Sequence, residues 1–330
     1  MERPPSMERL DAFMARANAA YYATRDPYAD FTTSPEITQV FGELLGLWSA
    51  VTWEAMGRPD PVLLVECGPG RGTLMADALR AIGGVAAPFA AALRLHLVET
   101  SPRLRALQAG RVPDATWHDA LEGVPPGPVL LLANEFLDAL PIRQIVRRGD
   151  GWAERFIDGG AFVERHAAAP EGADAEDGAV VELCEPAREV AGHIARRVLR
   201  DGGAALILDY GPAESAPGDS LQALHAGRPA NPLAEAGSTD LTAHVDFAAL
   251  ARVARAVGAA VHGPVPQGLF LTRLGLFQRT GRLARTQPPA RAAALVQSAQ
   301  RLAEPDRMGR LFKALVVCHP GLPCPAGFEP

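Results

Sequence analysis

Cysteine is scarce. The 330-residue chain has four, Cys67, Cys184, Cys318 and Cys324, far apart and without C-x-x-C spacing. That pattern excludes a zinc ribbon or a disulfide framework and leaves reduced thiols, with no metal site expected. An excess of basic residues is also missing. With 32 Lys plus Arg against 38 Asp plus Glu, the net charge is −6, so no overall positive field draws the chain onto a phosphate backbone, and nucleic acid is not an expected partner. Long apolar runs are absent too. No stretch approaches the roughly 18 residues of a membrane span, and Met1 to Leu10 carries two acids and no signal-peptide core. The expectation is a soluble, cytoplasmic protein with no stable membrane insertion.

What is present is an ordinary globular composition, 48% hydrophobic and 21% charged, sufficient for a large core. Ser34-Pro35-Glu36 reads as a helix start, with a hydroxyl cap, a proline in the first turn and a carboxylate at the positive end of the dipole. Ile37, Val40, Phe41, Leu44, Leu47, Trp48 and Val51 follow at helical spacing, predicting one helix that ends near Gly57. Short apolar runs at Val62 to Val65, Leu95 to Val98, Val129 to Ala133 and Ala204 to Leu208 alternate with helical segments, the pattern of a parallel sheet flanked by helices.

Ile142 to Arg165 alternates around glycine-containing turns and reads as an inserted hairpin or meander. Ala167 to Gly178 reads as a surface loop. Asp246 to Gly258 reads as a helix, followed by a strand near Ala259 to His262. Leu269 to Leu302 reads as helical with a break at Pro288-Pro289, and Leu311 to Cys318 as the last strand. The expected organisation is an N-terminal helical and lid segment, 1–57, packed on one main domain, 58–330. The main domain would carry a β insertion at about 142–166 and a helical insertion at about 269–305.

The strongest local signal is Leu63 through Leu74: a buried strand, an acid at its carboxyl end (Glu66), alternating Gly68, Gly70 and Gly72, then a helix. Ligands of open α/β sheets bind beyond the carboxyl ends of the strands, where glycine lets backbone approach them. A dinucleotide fingerprint would space the third glycine one residue further on, and Glu66 would repel a pyrophosphate. An acid there suits a ligand carrying an ammonium and a sulfonium, which S-adenosyl-L-methionine has. Glu99 ends the next apolar run, where a carboxylate accepts hydrogen bonds from both ribose hydroxyls. Asp119 follows the third strand end, either meeting an adenine amino group or serving as a surface-loop acid.

Several blocks together resemble the MidA family, methyltransferases related to the mitochondrial complex I assembly factor. These are Tyr21-Tyr22, Asp30 to Ile37, Phe41 to Leu44, Glu66 to Met75, Asn134 to Pro141, Asp209 to Gly211, Asp240 to Phe247 and Met308 to Lys313, and they span nearly the whole chain. The resemblance implies an α/β, Rossmann-like class I S-adenosylmethionine-dependent methyltransferase fold, a seven-stranded sheet with helical and β-hairpin insertions. For the mitochondrial member it implies methylation of an arginine on a respiratory complex I subunit, making a protein the expected partner. One departure is that Asp26 to Ala29 runs directly into Asp30-Phe31, shortening a segment that would act as a lid.

Methyl transfer from a sulfonium is an in-line displacement that needs alignment and no metal. An arginine acceptor keeps its charge, so carboxylates must hold its planar fork. Asn134-Glu135 follows the fourth strand. Glu135 is the first choice for gripping the acceptor, with a helix-capping or Arg143-paired acid as the alternative, and Asn134 would bind cofactor or orient the acceptor. Asp209, at the end of the Ala204 to Leu208 run, would be a second carboxylate, with Tyr210 as a pocket wall. His244 is a candidate proton acceptor, because histidine ordinarily titrates near neutrality, or else a loop histidine bonded to Asp246. Ser34, Thr32 and Thr33 read as cap and lid residues, and Lys313 as an apolar-strand cation paired with an acid. Three other functions compete with protein-arginine methylation: a methyltransferase of small molecules, a non-catalytic assembly chaperone, and, least supported by the glycine spacing, a dehydrogenase.

Overall fold

The computed structural model describes residues 7–24, 32–172, 174–225, 227–234 and 236–329. The shortened segment Asp26 to Phe31 lies outside them. The chain forms two compact units, each assembled from separated stretches. One comprises Met1–Phe31, Leu137–Glu189 and Glu214–Asp246; the other comprises Thr32–Phe136, Val190–Ala213 and Phe247–Pro330. Residues 1–57 are thus shared between them, with the division at Phe31 and Thr32.

The larger unit is built on seven strands: β1 (Val62–Cys67), β2 (Leu93–Val98), β3 (Thr116–His118), β4 (Val129–Asn134), β5 (Gly203–Tyr210), β6 (Ala260–Pro266) and β7 (Phe312–Cys318). Their spatial order is β6-β7-β5-β4-β1-β2-β3. The β1–β2, β1–β4, β2–β3 and β4–β5 pairs are parallel, and only β7 runs against its two neighbours. β1 and β4 are buried along their whole length, which is why they read as unbroken apolar runs rather than alternating ones.

One face of this sheet packs under helix α1 (Gln39–Ala55), whose Val40, Phe41, Leu44, Leu45 and Trp48 share a core with Val62, Leu64, Leu130, Leu132, Leu206, Leu208 and Val316. Each fully buried side chain of this size contributes about 1.5–3 kcal/mol. The single helix expected from Ser34 is two. Ser34–Ile37 makes one turn, and Thr38, at φ −160° and ψ 139°, is extended and caps α1 through its hydroxyl, which accepts from the Val40 N–H at 3.3 Å. A threonine hydroxyl competes with helical backbone bonding, which accounts for the break. Ser34 therefore opens the first turn instead of capping it, and Thr33 holds the cap position without a side-chain bond. Val51, expected on the apolar stripe, is 54% exposed; Leu45 takes the buried side.

α1 lies against α2 (Thr73–Val85), the helix that follows the glycine loop. Contact is close at two glycines one turn apart. A Cβ on Gly42 would stand 2.7 Å from Asp77 Cβ and 2.8 Å from Leu74 O, and one on Gly46 would stand 2.7 Å from Ala78 O. Between them, the carboxylate of Glu43 is only 2% exposed and accepts from Gln39 (2.9 Å), Arg80 (2.9 Å) and Arg279 (2.7 Å). That interior charge is paired on both sides, as burial requires. The C-terminal helical stretch runs Gln267–Arg273, Leu276–Ala284 and Pro289–Ala303, with an additional break at Gly275, φ +93°.

In the smaller unit, Arg143–Arg148, Gly151–Asp158 and Ala161–Ala167 pair antiparallel in sequence, and Met7–Arg9 and Val180–Leu183 extend the sheet. Helix Leu10–Thr24 packs Leu10, Phe13, Met14 and Ala17 against Ile142, Ile157, Ala223, Leu241 and Ala243. A small sheet, Gln222–His225, Arg228–Ala230 and Asp240–Thr242, completes it. Among the described residues no helix is long and apolar enough to cross a membrane, and no cluster of three metal-ligating side chains occurs.

The α1–α2 approach carries a prediction. Ordinary helix propensity favours Gly46→Ala by about 1 kcal/mol, yet the backbone contact makes the substitution destabilising, and Gly46→Val should cost about 2–3 kcal/mol. Urea midpoints below that of the parent for both variants are expected; a raised midpoint for Gly46→Ala would refute the close approach.

Candidate active site

Parallel pairing places the carboxyl ends of β1, β2, β4 and β5 along one edge of the larger unit. β1 delivers Glu66 there. Its side chain is 3% exposed and its Oε2 has no hydrogen-bond partner, and burial pushes the carboxyl up to about 8. The chain then turns through Gly68, Gly70 and Gly72, all left-handed at φ 63°, 54° and 77°. Such a turn is open to glycine and strained for other residues. The Gly68 N–H donates to Val98 O at 3.0 Å and the Gly72 N–H to Pro69 O at 2.7 Å. A Cβ on Gly68 would lie 2.8 Å from Phe136 Cδ2, so that glycine also admits the phenyl ring two residues beyond the fourth strand.

β2 delivers Glu99. Its Oε1 accepts from the Ser101 N–H at 2.8 Å and its Oε2 from Gln108 Nε2 at 3.2 Å, while burial raises its pKa against these bonds. α3 (Pro102–Ala109) returns from this strand end and sends back Arg105, which donates to Glu99 O and to Asp119 Oδ1, the latter at 2.7 Å. The Asp119 side chain is 87% exposed.

β4 ends in Asn134, buried, with Oδ1 unpartnered. Glu135 follows at φ +48°, one of two non-glycine residues in the described chain with positive φ. A left-handed backbone at a non-glycine residue costs of order 1–3 kcal/mol and persists where the surroundings enforce it. Here its N–H donates to Leu208 O at 2.9 Å, and its Oε1 accepts from the Ser34 N–H at 2.8 Å and from Asn134 Nδ2 at 3.3 Å. Ser34 is wholly buried and its Oγ is unpartnered.

Asp209, at the end of β5, is also wholly buried. Its Oδ2 accepts from the Phe136 N–H at 3.2 Å and its Oδ1 from the Tyr210 N–H at 2.9 Å. Lys313 is not paired with an acid: its ammonium donates to the carbonyls of Gly211 and Leu311, each at 3.0 Å, and to that of Arg310.

The larger unit thus collects Glu66, Gly68, Gly70, Gly72, Glu99, Asp119, Asn134, Glu135 and Asp209. His244 belongs to the smaller unit, where it is exposed and its N–H donates to Ser220 Oγ at 2.8 Å; the Asp246 carboxylate accepts from Ser215 Oγ at 2.8 and 2.7 Å. Sequence reasoning missed Ser34 as an amide donor, and it missed Gln108 and Arg105. Polar residues inside a short helix carry no local mark of what they face.

Comparison with known proteins agrees with this geometry. Residues 44–265 match the family described as "Putative S-adenosyl-L-methionine-dependent methyltransferase". A curated relative is the mitochondrial protein arginine methyltransferase NDUFAF7 homolog of Drosophila melanogaster, 35% identical over 95% of this chain and 81% of that protein. The human mitochondrial protein arginine methyltransferase NDUFAF7 is 34% identical over 92% of this chain and 78% of its own. Among solved structures, a Burkholderia thailandensis protein bound to S-adenosyl-homocysteine superposes with a TM-score of 0.82 at 25% identity, covering 98% of this chain and 90% of that one. The seven-stranded sheet is the class I methyltransferase sheet expected from the sequence, and the chain belongs to the MidA family of S-adenosyl-L-methionine-dependent methyltransferases.

Proposed function

We propose that the protein methylates an arginine side chain of a protein partner, with Glu135 as the residue that grips the guanidinium. The observation that carries the assignment is the left-handed Glu135, held by an amide of the Ser34 turn at the edge where the glycine loop lies. An arginine guanidinium stays protonated at neutral pH, and a fixed carboxylate both neutralises it and orients its planar fork. The curated relatives bear the name protein arginine methyltransferase, and a respiratory complex I subunit is the acceptor that the family resemblance implies.

The unmet hydrogen-bonding capacity fits the cofactor. Buried polar atoms are nearly always paired, and Glu66 Oε2 and Asn134 Oδ1 lack partners. Both are acceptors, suited to the N–H and O–H groups of an amino-acid and ribose moiety. We assign Glu66 to the ammonium, Gly68, Gly70 and Gly72 to close backbone approach, Glu99 to the ribose hydroxyls, Asp119 to the adenine amino group and Asn134 to the amino-acid portion. Bound S-adenosylmethionine supplies the activated methyl group. Asp209 acts as a positioning residue, its carboxylate accepting from the Phe136 N–H just beyond the Glu135 turn and from the N–H of its own neighbour Tyr210.

Glu135→Gln should keep S-adenosylhomocysteine affinity within about threefold while turnover falls about a hundredfold or more, the scale of a lost charge-assisted contact. Radiolabel transfer into an isolated complex I preparation, read as methylarginine by mass spectrometry, checks this. A fully active variant, or label confined to other residues, would remove the assignment.

Glu66 also makes binding pH-dependent. Its carboxyl is pushed up to about 8 in the free protein, so ionising it to meet an ammonium means displacing a proton below that pH. Calorimetric affinity for S-adenosylhomocysteine should therefore weaken by up to about tenfold per unit as pH falls from 8. Because the folded value lies above the unfolded one, the free protein loses Glu66-linked stability as pH rises from about 4.5 through 8. Ligand-induced thermal stabilisation grows over the same window, and Glu66→Gln flattens both profiles. A pH-independent affinity in the parent would contradict the Glu66 assignment.

A further inference from the structure

Gln108 is wholly buried on α3, and its side-chain amide is fully engaged. Its Oε1 accepts from Trp117 Nε1 at 2.8 Å, and its Nε2 donates to Gly70 O at 2.7 Å and to Glu99 Oε2 at 3.2 Å. An indole N–H can only donate, so Trp117 dictates which end of the amide faces it. The NH₂ group must then point at the two acceptors. One of these is the middle glycine of the loop; the other is the carboxylate at the end of β2. The same residue lies beneath the last glycine, since a Cβ on Gly72 would meet Gln108 Cα and Cγ at 3.5 Å.

We propose that Gln108 is the positioning residue of the ribose subsite, setting the Glu99 carboxylate against the glycine loop so that both ribose hydroxyls find it preoriented. The inference rests on the cofactor reading above. Three features favour this role over simple packing. Two of the three partners, Gly70 O and the Glu99 carboxylate, belong to the carboxyl edge of the sheet, and the third, Trp117 on β3, also packs against the hydrophobic core. Beside the backbone N–H groups of Ser101 and Thr100, Gln108 supplies a side-chain donor to the Glu99 carboxylate and holds its second oxygen, Oε2. Arg105, one turn earlier on α3, holds the backbone carbonyl of Glu99, so this helix determines both the backbone and the side chain of that acid. Neither a glutamate nor a methionine at 108 can reproduce the arrangement: the first offers no donor to Gly70 O or Glu99, and the second none to either and only a weak sulfur acceptor for Trp117.

The test compares calorimetric affinities for S-adenosylhomocysteine and its 2′-deoxy analogue. The parent should prefer the ribose ligand by about tenfold or more, the scale of a hydrogen bond to a charged group. Gln108→Met should weaken the ribose ligand about tenfold and leave the 2′-deoxy ligand within about threefold, collapsing the preference. Trp117→Phe removes the donor that orients the amide while keeping an aromatic ring at that place and should reduce the preference in the same sense, which keeps the test available should Gln108→Met fail to fold. Equal weakening of both ligands, or an undiminished preference in both variants, would overturn the positioning role. Binding of neither ligand by the folded parent is a separate result, which would overturn the cofactor reading and this inference with it.

Discussion

The constraint on which the site depends is the parallel backbone pairing of β4 between β1 and β5. Cys67 pairs with Ala133 and Leu208 with Asn134, so three strands running the same way finish within three residues of each other. Each ends in a polar group: Glu66 one residue before the loop, Asn134 followed by Glu135, and Asp209. Parallel ladders force crossover connections on the chain, and those crossovers are what bring α2 and α3 back beneath the loops they follow. A one-residue slip of β4 would exchange its two faces, turning Asn134 away from the edge and breaking the Glu135 N–H bond to Leu208.

Two further devices refine that edge. Backbone strain is concentrated at Glu135, where a left-handed turn is stabilised from both sides, by the Ser34 amide on its carboxylate and by Asp209 under the next residue. Burial without a partner is concentrated at Glu66, whose carboxyl is held in its neutral form near pH 7 until a cation arrives. Both are unfavourable in isolation, and natural chains retain such features where a site needs them.

Much of the larger unit was legible in the sequence. Strands buried on both faces appear as apolar runs, and the Gly68-Gly70-Gly72 spacing marks a backbone that must turn left-handed three times. Resemblance over eight blocks added the family, and the pairing of strands then added the edge. What was not legible has physical causes. Thr38 breaks a helix whose apolar period continues through it, because a hydroxyl cap and a helical residue look alike in a sequence. Val51 fits the helical period and still faces outward, since the buried arc is set by the sheet beneath. Gln108 and Ser34 act through a buried amide and a backbone N–H, neither of which periodicity or charge reveals. The short strands Met7–Arg9 and Val180–Leu183 carry no alternation long enough to read.

The smaller unit's discontinuity bears on how the chain emerges during synthesis. Helix Leu10–Thr24 finds its apolar partners Ile142 and Ile157 far along the chain and Leu241 and Ala243 farther still, and Asn18 bonds to Leu241 O across 223 positions. At about 5–20 residues per second of translation, the helix waits roughly ten to forty-five seconds before its last contacts exist. Until Ile142 and Ile157 emerge, Leu10, Phe13, Met14 and Ala17 form an uncovered greasy stripe on a nascent polypeptide, and its full cover waits for Leu241 and Ala243. Holding factors at the ribosome exit are suited to shield such a stripe, and a pause in translation before codon 241 would lengthen its exposure.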